Sequence, residues 1–392
     1  MSGAEAPAQG PRAMATRGPV LVIGSGLLGA SLGLALRAGG VEVLLEDASP
    51  TSLRLAQDIG AGRPLSDWAA DTGGQREAGP GLVVVATPPD VADRCVVHAL
   101  RAYPRAFVTD VASVKDAVMS DALAELGRQG MAEAGARYVG SHPMAGRERS
   151  GAGAADADLF YGRPWVVVAH EGSSPEAVLA VRALASDVGG VPMEMTAPMH
   201  DRSVALVSHV PQLVSSMLAA RLGEAPPEAL SLAGQGLRDT ARIAASDPRL
   251  WTAILAGNAG PVAEVLRGIQ RDLDDLVSHL DAAARLGPLR GGSVGAINRV
   301  MEAGNRGVAR IPGKHGGAPR RYAELEVLIP DSPGEMGRLF SELGEAGVSI
   351  EDFVLEHSSG QQVGVGRIMV DPSAMERAVA VLEAHSWRLI PH

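Results

Sequence analysis

The chain of 392 residues has a single cysteine, Cys95, which excludes an internal disulfide and fits a reducing compartment. It has no concentrated basic patch. Lys and Arg number 35 against 45 Asp and Glu, and a net charge of −10 argues against a nucleic-acid partner. No apolar run reaches the roughly 18 residues of a membrane span. Residues 1–18 are rich in Ala, Gly and Pro but lack the apolar centre of a signal peptide, and they read as a disordered tail. The expected location is the cytoplasm, with no membrane partner. What the chain does have is apolar mass. Hydrophobic residues make up 46%, enough for a full core, and the length suits two or three domains.

Residues 19–196 alternate short β-rich runs with helix-length spacers. The runs are PVLVIG (19–24), VEVLL (41–45), LVVVAT (82–87), AFVTDV (106–111), RYVGS (137–141) and WVVVAH (165–170). Polar alternation is absent, which predicts parallel strands buried on both faces of a doubly wound α/β sheet, a Rossmann domain. From 197 to 285 strand runs vanish, and 204–221, 228–245, 248–255 and 261–284 read as helices. By analogy, an all-α block after such a sheet supplies a substrate wall and a dimer interface. Gly and Pro dominate 286–321, which reads as a linker. Residues 322–392 return to short runs in the order βαββαβ, a ferredoxin-like unit.

The stretch LVIGSGLLGASLG places Gly24-x-Gly26-x-x-Gly29 after a strand and at a helix start. Gly24 permits the tight turn, Gly26 the approach of a pyrophosphate, and Gly29 close packing of helix on sheet. Ser25, Leu27 and Leu28 complete the loop, whose helix N-terminus favours phosphate. Asp47 ends the second strand run, 23 residues after Gly24. A carboxylate there accepts from a ribose 2′-OH and repels a 2′-phosphate, so NAD is expected over NADP. Glu46 competes for the role. Thr87 and Pro88, at the end of the next strand run, present backbone to the nicotinamide half or simply terminate the strand.

Two polar residues fall at further strand ends. Ser113, after AFVTDV, reads as a helix N-cap with Asp116 as its capping-box partner. His142 follows RYVGS in GSHPMAGRERSG, where Pro143 and three glycines shape an open loop. An imidazole on that edge of the sheet can take a hydroxyl proton while hydride leaves the same carbon. In the helical block, His200 and His209 are nine residues apart, on opposite faces of a regular α-helix, so at most one faces a site unless the helix starts after His200. His209 and Gln212 share a face. Pro211 kinks or breaks that helix. No third ligand at a plausible spacing supports a metal site. Arg242 projects from a small, apolar stretch as a carboxylate clamp or as an ion-pair partner of Asp239. Trp251 lines a pocket or packs.

Together, GSGLLGAS, VTDVASVK, GSHPMAGRERSG, SHVPQ and DTARIAASDPRLW resemble the prephenate dehydrogenase family over about residues 19–285. The HPMAG-x-E-x-SG stretch is the most specific. IPDSPGEMGRLFSELGEAGVSIED in the last segment resembles an ACT domain, a class that commonly binds amino acids and regulates biosynthetic enzymes. The resemblance implies NAD-dependent oxidative decarboxylation of prephenate to 4-hydroxyphenylpyruvate, in tyrosine biosynthesis, by a homodimer. It implies that His142 deprotonates the ring hydroxyl, that Ser113 holds it, and that Arg242 grips a carboxylate. Glu148 would shape the pocket, with Asp239 and Trp251 near it. The loop Asp331-Ser332-Pro333-Gly334 would meet an amino-acid effector, with tyrosine the expected one. The family pattern SHLPH is here SHVPQ, so Gln212 replaces a substrate-binding histidine and leaves arogenate, the amino analogue, as an alternative substrate. A non-catalytic NAD or amino-acid sensor would need no base at 142. A β-hydroxyacid-type dehydrogenase would call for a catalytic lysine in the second domain, and 197–284 contain none.

Overall fold

The computed structural model describes residues 14–71, 79–147, 149–312, 322–357 and 362–390. They form two compact units. One holds the chain up to Ala220 together with Ile243–Arg267; the other holds Arg221–Arg242 and the chain from Gly268 onward. The division runs through the helical block.

The first unit begins with β1 (Val20–Ile23), α1 (Leu27–Ala38), β2 (Val43–Glu46), α2 (Pro50–Asp58), β3 (Arg63–Pro64), α3 (Leu65–Asp71), β4 (Leu82–Val85), α4 (Pro89–Ala102), β5 (Phe107–Asp110) and α5 (Asp116–Arg128). The strands are parallel, in the order β3-β2-β1-β4-β5. Both faces are covered, which explains the unbroken apolar runs. Val20 and Val22 join α1's Leu32 and Leu36 on one face, while Leu21 and Ile23 join α4's Val96 and Leu100 on the other. Full burial of each such side chain contributes about 1.5–3 kcal/mol.

β6 (Gly140–Pro143), β7 (Pro164–Val168), α6 (Pro175–Asp187) and β8 (Val191–Glu194) follow. Here the structure departs from the expected single parallel sheet. β6 pairs antiparallel with β7, and β7 pairs parallel with β8, in a separate three-stranded sheet. A lone parallel bridge, Val108 with Tyr138, joins it to β5. A buried apolar run carries no direction, so the pattern could not distinguish these arrangements.

The helical block comprises α7 (Ala197–Val204), a π-helical turn (Ala205–His209), α8 (Val210–Leu222), α9 (Pro227–Leu230), α10 (Gln235–Arg242), α11 (Pro248–Gly257) and α12 (Ala259–Leu286). Thr196 caps α7 and Asp247 caps α11, each with proline in the first turn. Contrary to the expectation from apolar runs, the continuous helix Ala197–Leu222, 26 residues, is long and apolar enough to cross a membrane by length and composition. It buries the polar side chains His200, Asp201, His209 and Gln212 within the first unit.

In the second unit the segment read as a linker contains α13 (Ser293–Val308). Gly291 and Gly292 adopt φ of +71° and +76° and turn the chain after α12. A Cβ on Gly291 would meet Ala282 at 2.7 Å, and Arg299 of α13 pairs with Asp275 of α12 at 2.9 Å. The glycines therefore serve a helix–turn–helix rather than a flexible strand of chain. β9 (Ala323–Pro330), α14 (Glu335–Glu345), β10 (Ile350–His357), β11 (Val363–Val370), α15 (Met375–Ala384) and β12 (Arg388–Ile390) complete the chain. Their sheet is antiparallel, ordered β10-β11-β9-β12. β9 alternates, burying Leu325, Val327 and Ile329 against Leu339, Leu343 and Leu382 of the two helices, as a sheet packed on one face requires.

Candidate active site

The glycine loop is shaped for a dinucleotide. Gly24 has φ of +101°, and a Cβ there would lie 2.5 Å from the Ala86 carbonyl oxygen. A Cβ on Gly29 would lie 1.9 Å from the Gly24 oxygen. On Gly26, the N-cap of α1, it would meet nothing within 4 Å. Two glycines are thus filled by protein and the middle one faces open space, where a phosphate can approach the helix N-terminus. Ser25 is buried, and its Oγ has no hydrogen-bond partner among the described residues. Asp47 accepts from Ser25 N at 2.5 Å and Ser49 N at 2.7 Å, which ties its carboxylate to the loop. Glu46 instead lines a cavity of about 360 Å³ with Ile23, Val91, Arg94, Cys95 and His98, beyond the ends of β1 and β2. These features fit NAD. Thr87 and Pro88 lie between β4 and α4, with Pro88 as the helix N-cap.

Ser113 lies between β5 and α5 and caps nothing. The N-cap of α5 is Lys115, without a side-chain cap bond. The cap comes from another helix. Asp201 on α7 accepts from Lys115 N at 2.9 Å and Asp116 N at 3.0 Å. The expected capping box of Ser113 and Asp116 is therefore corrected. The half-buried Ser113 hydroxyl is not engaged in capping.

His142 lies within β6, opposite Val166, and not in a loop beyond a strand end. β6 runs beside the carboxyl end of β5, where Ser141 Oγ donates to the Asp110 carbonyl at 3.0 Å. Its neighbours form a buried polar cluster. His142 Nδ1 is 2.8 Å from His200 Nε2, and His200 Nδ1 is 2.7 Å from Asp201 Oδ1. Asn258 donates from Nδ2 to the Asp201 carbonyl at 2.8 Å and contacts His209 Nδ1 at 3.0 Å. His209 meets Trp251 edge-on, centroids 6.1 Å apart. The buried Lys115 side chain pairs with Asp110, whose other oxygen accepts from Tyr138 OH at 2.7 Å; burial lowers the Lys115 pKa, with Asp110 opposing.

This environment sets the charges. Burial holds the His142 pKa well below the ordinary value, and His200, Lys115 and His209 add to the effect. Burial lowers His209 to about 4, with Asp201 opposing. Burial works against the Asp201 carboxylate, but hydrogen bonds from His200 and the α5 amides outweigh it and leave its pKa lowered. The site therefore offers an imidazole that stays neutral at physiological pH, backed by an ionised carboxylate.

Both His200 and His209 belong to this cluster, against the expectation that at most one could. The π turn at Ala205–His209 underwinds the helix between them and changes the angular relation that a regular helix imposes. Gln212 is buried on α8, its Oε1 accepting from Ser246 Oγ at 3.4 Å. Asp239 and Arg242 belong to α10 in the second unit, where Asp239 accepts from Gln235 Nε2 at 2.8 Å. Glu148 lies outside the described residues. Asp331, Ser332, Pro333 and Gly334 form the turn between β9 and α14, with Gly334 at φ of +94°. Sequence reasoning missed Asp201, Asn258 and Lys115. The His200-Asp201 pair at a helix start was the available signal.

Two family models match the chain: "Prephenate dehydrogenase, nucleotide-binding domain" over residues 32–194 and "Prephenate dehydrogenase, dimerization domain" over 196–285. The chain is 34% identical over 370 residues to a probable prephenate dehydrogenase, NovF, of Streptomyces niveus, spanning 94% of this chain and 98% of that one. It is 25% identical to the prephenate dehydrogenase of Bacillus subtilis, spanning 89% and 91%. A solved prephenate dehydrogenase from A. aeolicus, in complex with hydroxyphenyl propionate and NAD+, superposes with a TM-score of 0.60 at 26% identity, covering 73% of this chain and 97% of that one. A Synechocystis arogenate dehydrogenase gives 0.57 at 25% identity, covering 74% and 98%.

Proposed function

The chain belongs to the prephenate dehydrogenase family, and from that premise we propose that it oxidatively decarboxylates prephenate to 4-hydroxyphenylpyruvate with NAD, using His142 as the general base. NAD, when bound, supplies the hydride acceptor. The substrate carbon that bears the hydroxyl gives up its hydrogen as hydride. The hydroxyl proton goes to His142, and the ring carboxylate leaves as CO₂. Its bonding electrons stay in the ring, which becomes aromatic, and the product oxygen recovers the proton from His142. The protein therefore needs a base, a hydride acceptor placed beside the carbon, and an anchor for the remaining carboxylate.

The other roles follow the resemblance. Gly24, Gly26 and Gly29, with Ser25, Leu27 and Leu28, cradle the pyrophosphate. Asp47 takes the ribose hydroxyls, and Thr87 and Pro88 border the nicotinamide half. Ser113 holds the substrate hydroxyl. Arg242 binds a carboxylate, and Asp239, Glu148, His209 and Trp251 are substrate-binding positions by the same resemblance. The observation that carries the base assignment is the neutral, half-buried His142 ring beside the carboxyl end of β5, wired to an ionised carboxylate.

Arogenate is the second reading, and Gln212 favours keeping it. A neutral amide both donates and accepts, so it suits a side chain bearing either a keto or an amino group. Purified protein should form NADH from prephenate. Side-by-side rates on prephenate and arogenate decide between the two substrates, and inertness on both despite NAD binding refutes the enzyme.

The βαββαβ order and antiparallel sheet of residues 322–390 support an ACT domain. In that reading the loop 331–334 meets the charged groups of tyrosine at the start of α14, and tyrosine regulates the enzyme. The match to a dimerization domain supports a homodimer, and the biosynthetic reaction a cytoplasmic location.

A further inference from the structure

We infer that His200 and Asp201 are positioning residues that set which nitrogen of His142 is the base. The inference rests on the reading of His142 as the catalytic base and adds how that base is prepared. It starts from Asp201. Its carboxylate accepts from two backbone amides at the start of α5 and faces His200 Nδ1 at 2.7 Å. An ionised carboxylate only accepts, so His200 Nδ1 carries a proton. His200 Nε2 then presents a lone pair to His142 Nδ1, 2.8 Å away. That contact is a hydrogen bond only if His142 Nδ1 is protonated. The remaining nitrogen, His142 Nε2, is the lone pair, and it has no hydrogen-bond partner among the described residues.

The alternative is a second proton on His200, which would then donate to His142 Nδ1. It would place a charge on the fully buried His200 ring, and it would leave His142 Nε2 as a donor, useless as a base. The first arrangement avoids both problems.

The same chain manages charge during the reaction. As the substrate hydroxyl proton bonds to His142 Nε2, the Nδ1 proton can pass to His200 Nε2. The positive charge then lies on His200, against the Asp201 carboxylate, and the two transfers reverse when the product oxygen is reprotonated. No proton is gained or lost overall. Asp201 contributes twice, since the interaction that orients His200 also fixes the N-terminus of α5, just after Ser113.

The test has two parts. In the wild-type protein, ¹⁵N NMR of the histidine rings should show His142 with a protonated Nδ1 and an unprotonated Nε2; the reverse tautomer overturns the inference, whatever any variant does. The second part compares three variants, each checked for NAD affinity and melting temperature. His200→Phe should lower kcat by about 10²-fold while KM moves less than about threefold, because the tautomer is lost and the binding groups are not. His200→Gln, whose Oε1 can still accept from Nδ1, should recover part of that loss. If His142→Asn abolishes turnover but His200→Phe keeps kcat and the tautomer signature, the positioning role is wrong and the base assignment stands. If His142→Asn itself retains turnover, both fall.

Discussion

Replacing Gly26 with alanine separates cofactor binding from folding. The residue has φ of −73° and ψ of −161°, a conformation open to alanine, and the added methyl meets no protein atom within 4 Å. The unliganded protein should therefore keep its stability to within about 1 kcal/mol. The methyl does fill the space through which the pyrophosphate reaches the α1 amides. Losing one charge-assisted hydrogen bond there costs about 1.5–3 kcal/mol, a rise in NAD Kd of about 10- to 150-fold. Gly29→Ala is the contrasting control. Its methyl would sit 1.9 Å from the Gly24 carbonyl oxygen, so the turn must shift and stability should drop by at least about 1–3 kcal/mol. Calorimetric titration with NAD and denaturant unfolding without it measure the two quantities. Wild-type NAD affinity in Gly26→Ala would refute the cradle, and an early unfolding transition would refute the reading of open space.

Other outcomes follow from the same geometry. Arg242→Gln should raise KM for prephenate with a smaller change in kcat; an unchanged KM removes the carboxylate anchor from that residue. Stability should fall with acid. The folded pKa of His209 is about 4 against an ordinary 6.5, so unfolding takes up a proton between those values. The contribution is intact above about pH 6.5 and declines as pH drops, with a slope approaching 1.4 kcal/mol per pH unit. His209→Gln should flatten the acid slope by that amount in denaturant titrations run from pH 6.5 down to 4, with His142 keeping its own share, and an unchanged slope would assign it elsewhere. Tyrosine should shift either the melting temperature or the rate through the loop 331–334, and if titration moves neither, the sensing role is wrong.

Much of this architecture was legible in the sequence because sterics wrote it there. Gly24 and Gly29 are dictated by backbone contacts that leave no room for a side chain, with Gly26 open between them, and β1 and β4 are apolar on both faces because helices cover both. Asp47 was readable for a similar reason, as an acid at a strand tip facing that loop. Strand direction was not. The run 137–141 reads as one more strand of the series, yet β6 turns to pair with β7. Nor was α13, whose stripe Val294, Ile297, Val300 and Met301 was overshadowed by the flanking glycines, here the turn before the helix. The most consequential miss concerns His200. Its exclusion assumed 3.6 residues per turn through position 209, and the π turn at Ala205–His209 breaks that assumption. Ser113 shows the converse failure. A serine before a helix has the right local chemistry for a cap, but a distant carboxylate, Asp201, took the amides first.

The most direct test is the initial rate of NADH formation, read at saturating NAD and prephenate, for the wild type and for His142→Asn. The account predicts rapid turnover by the first and a rate about 10²–10⁴-fold lower for the second, with NAD affinity nearly unchanged. A His142→Asn protein that oxidises prephenate within a few-fold of the wild-type rate would contradict it.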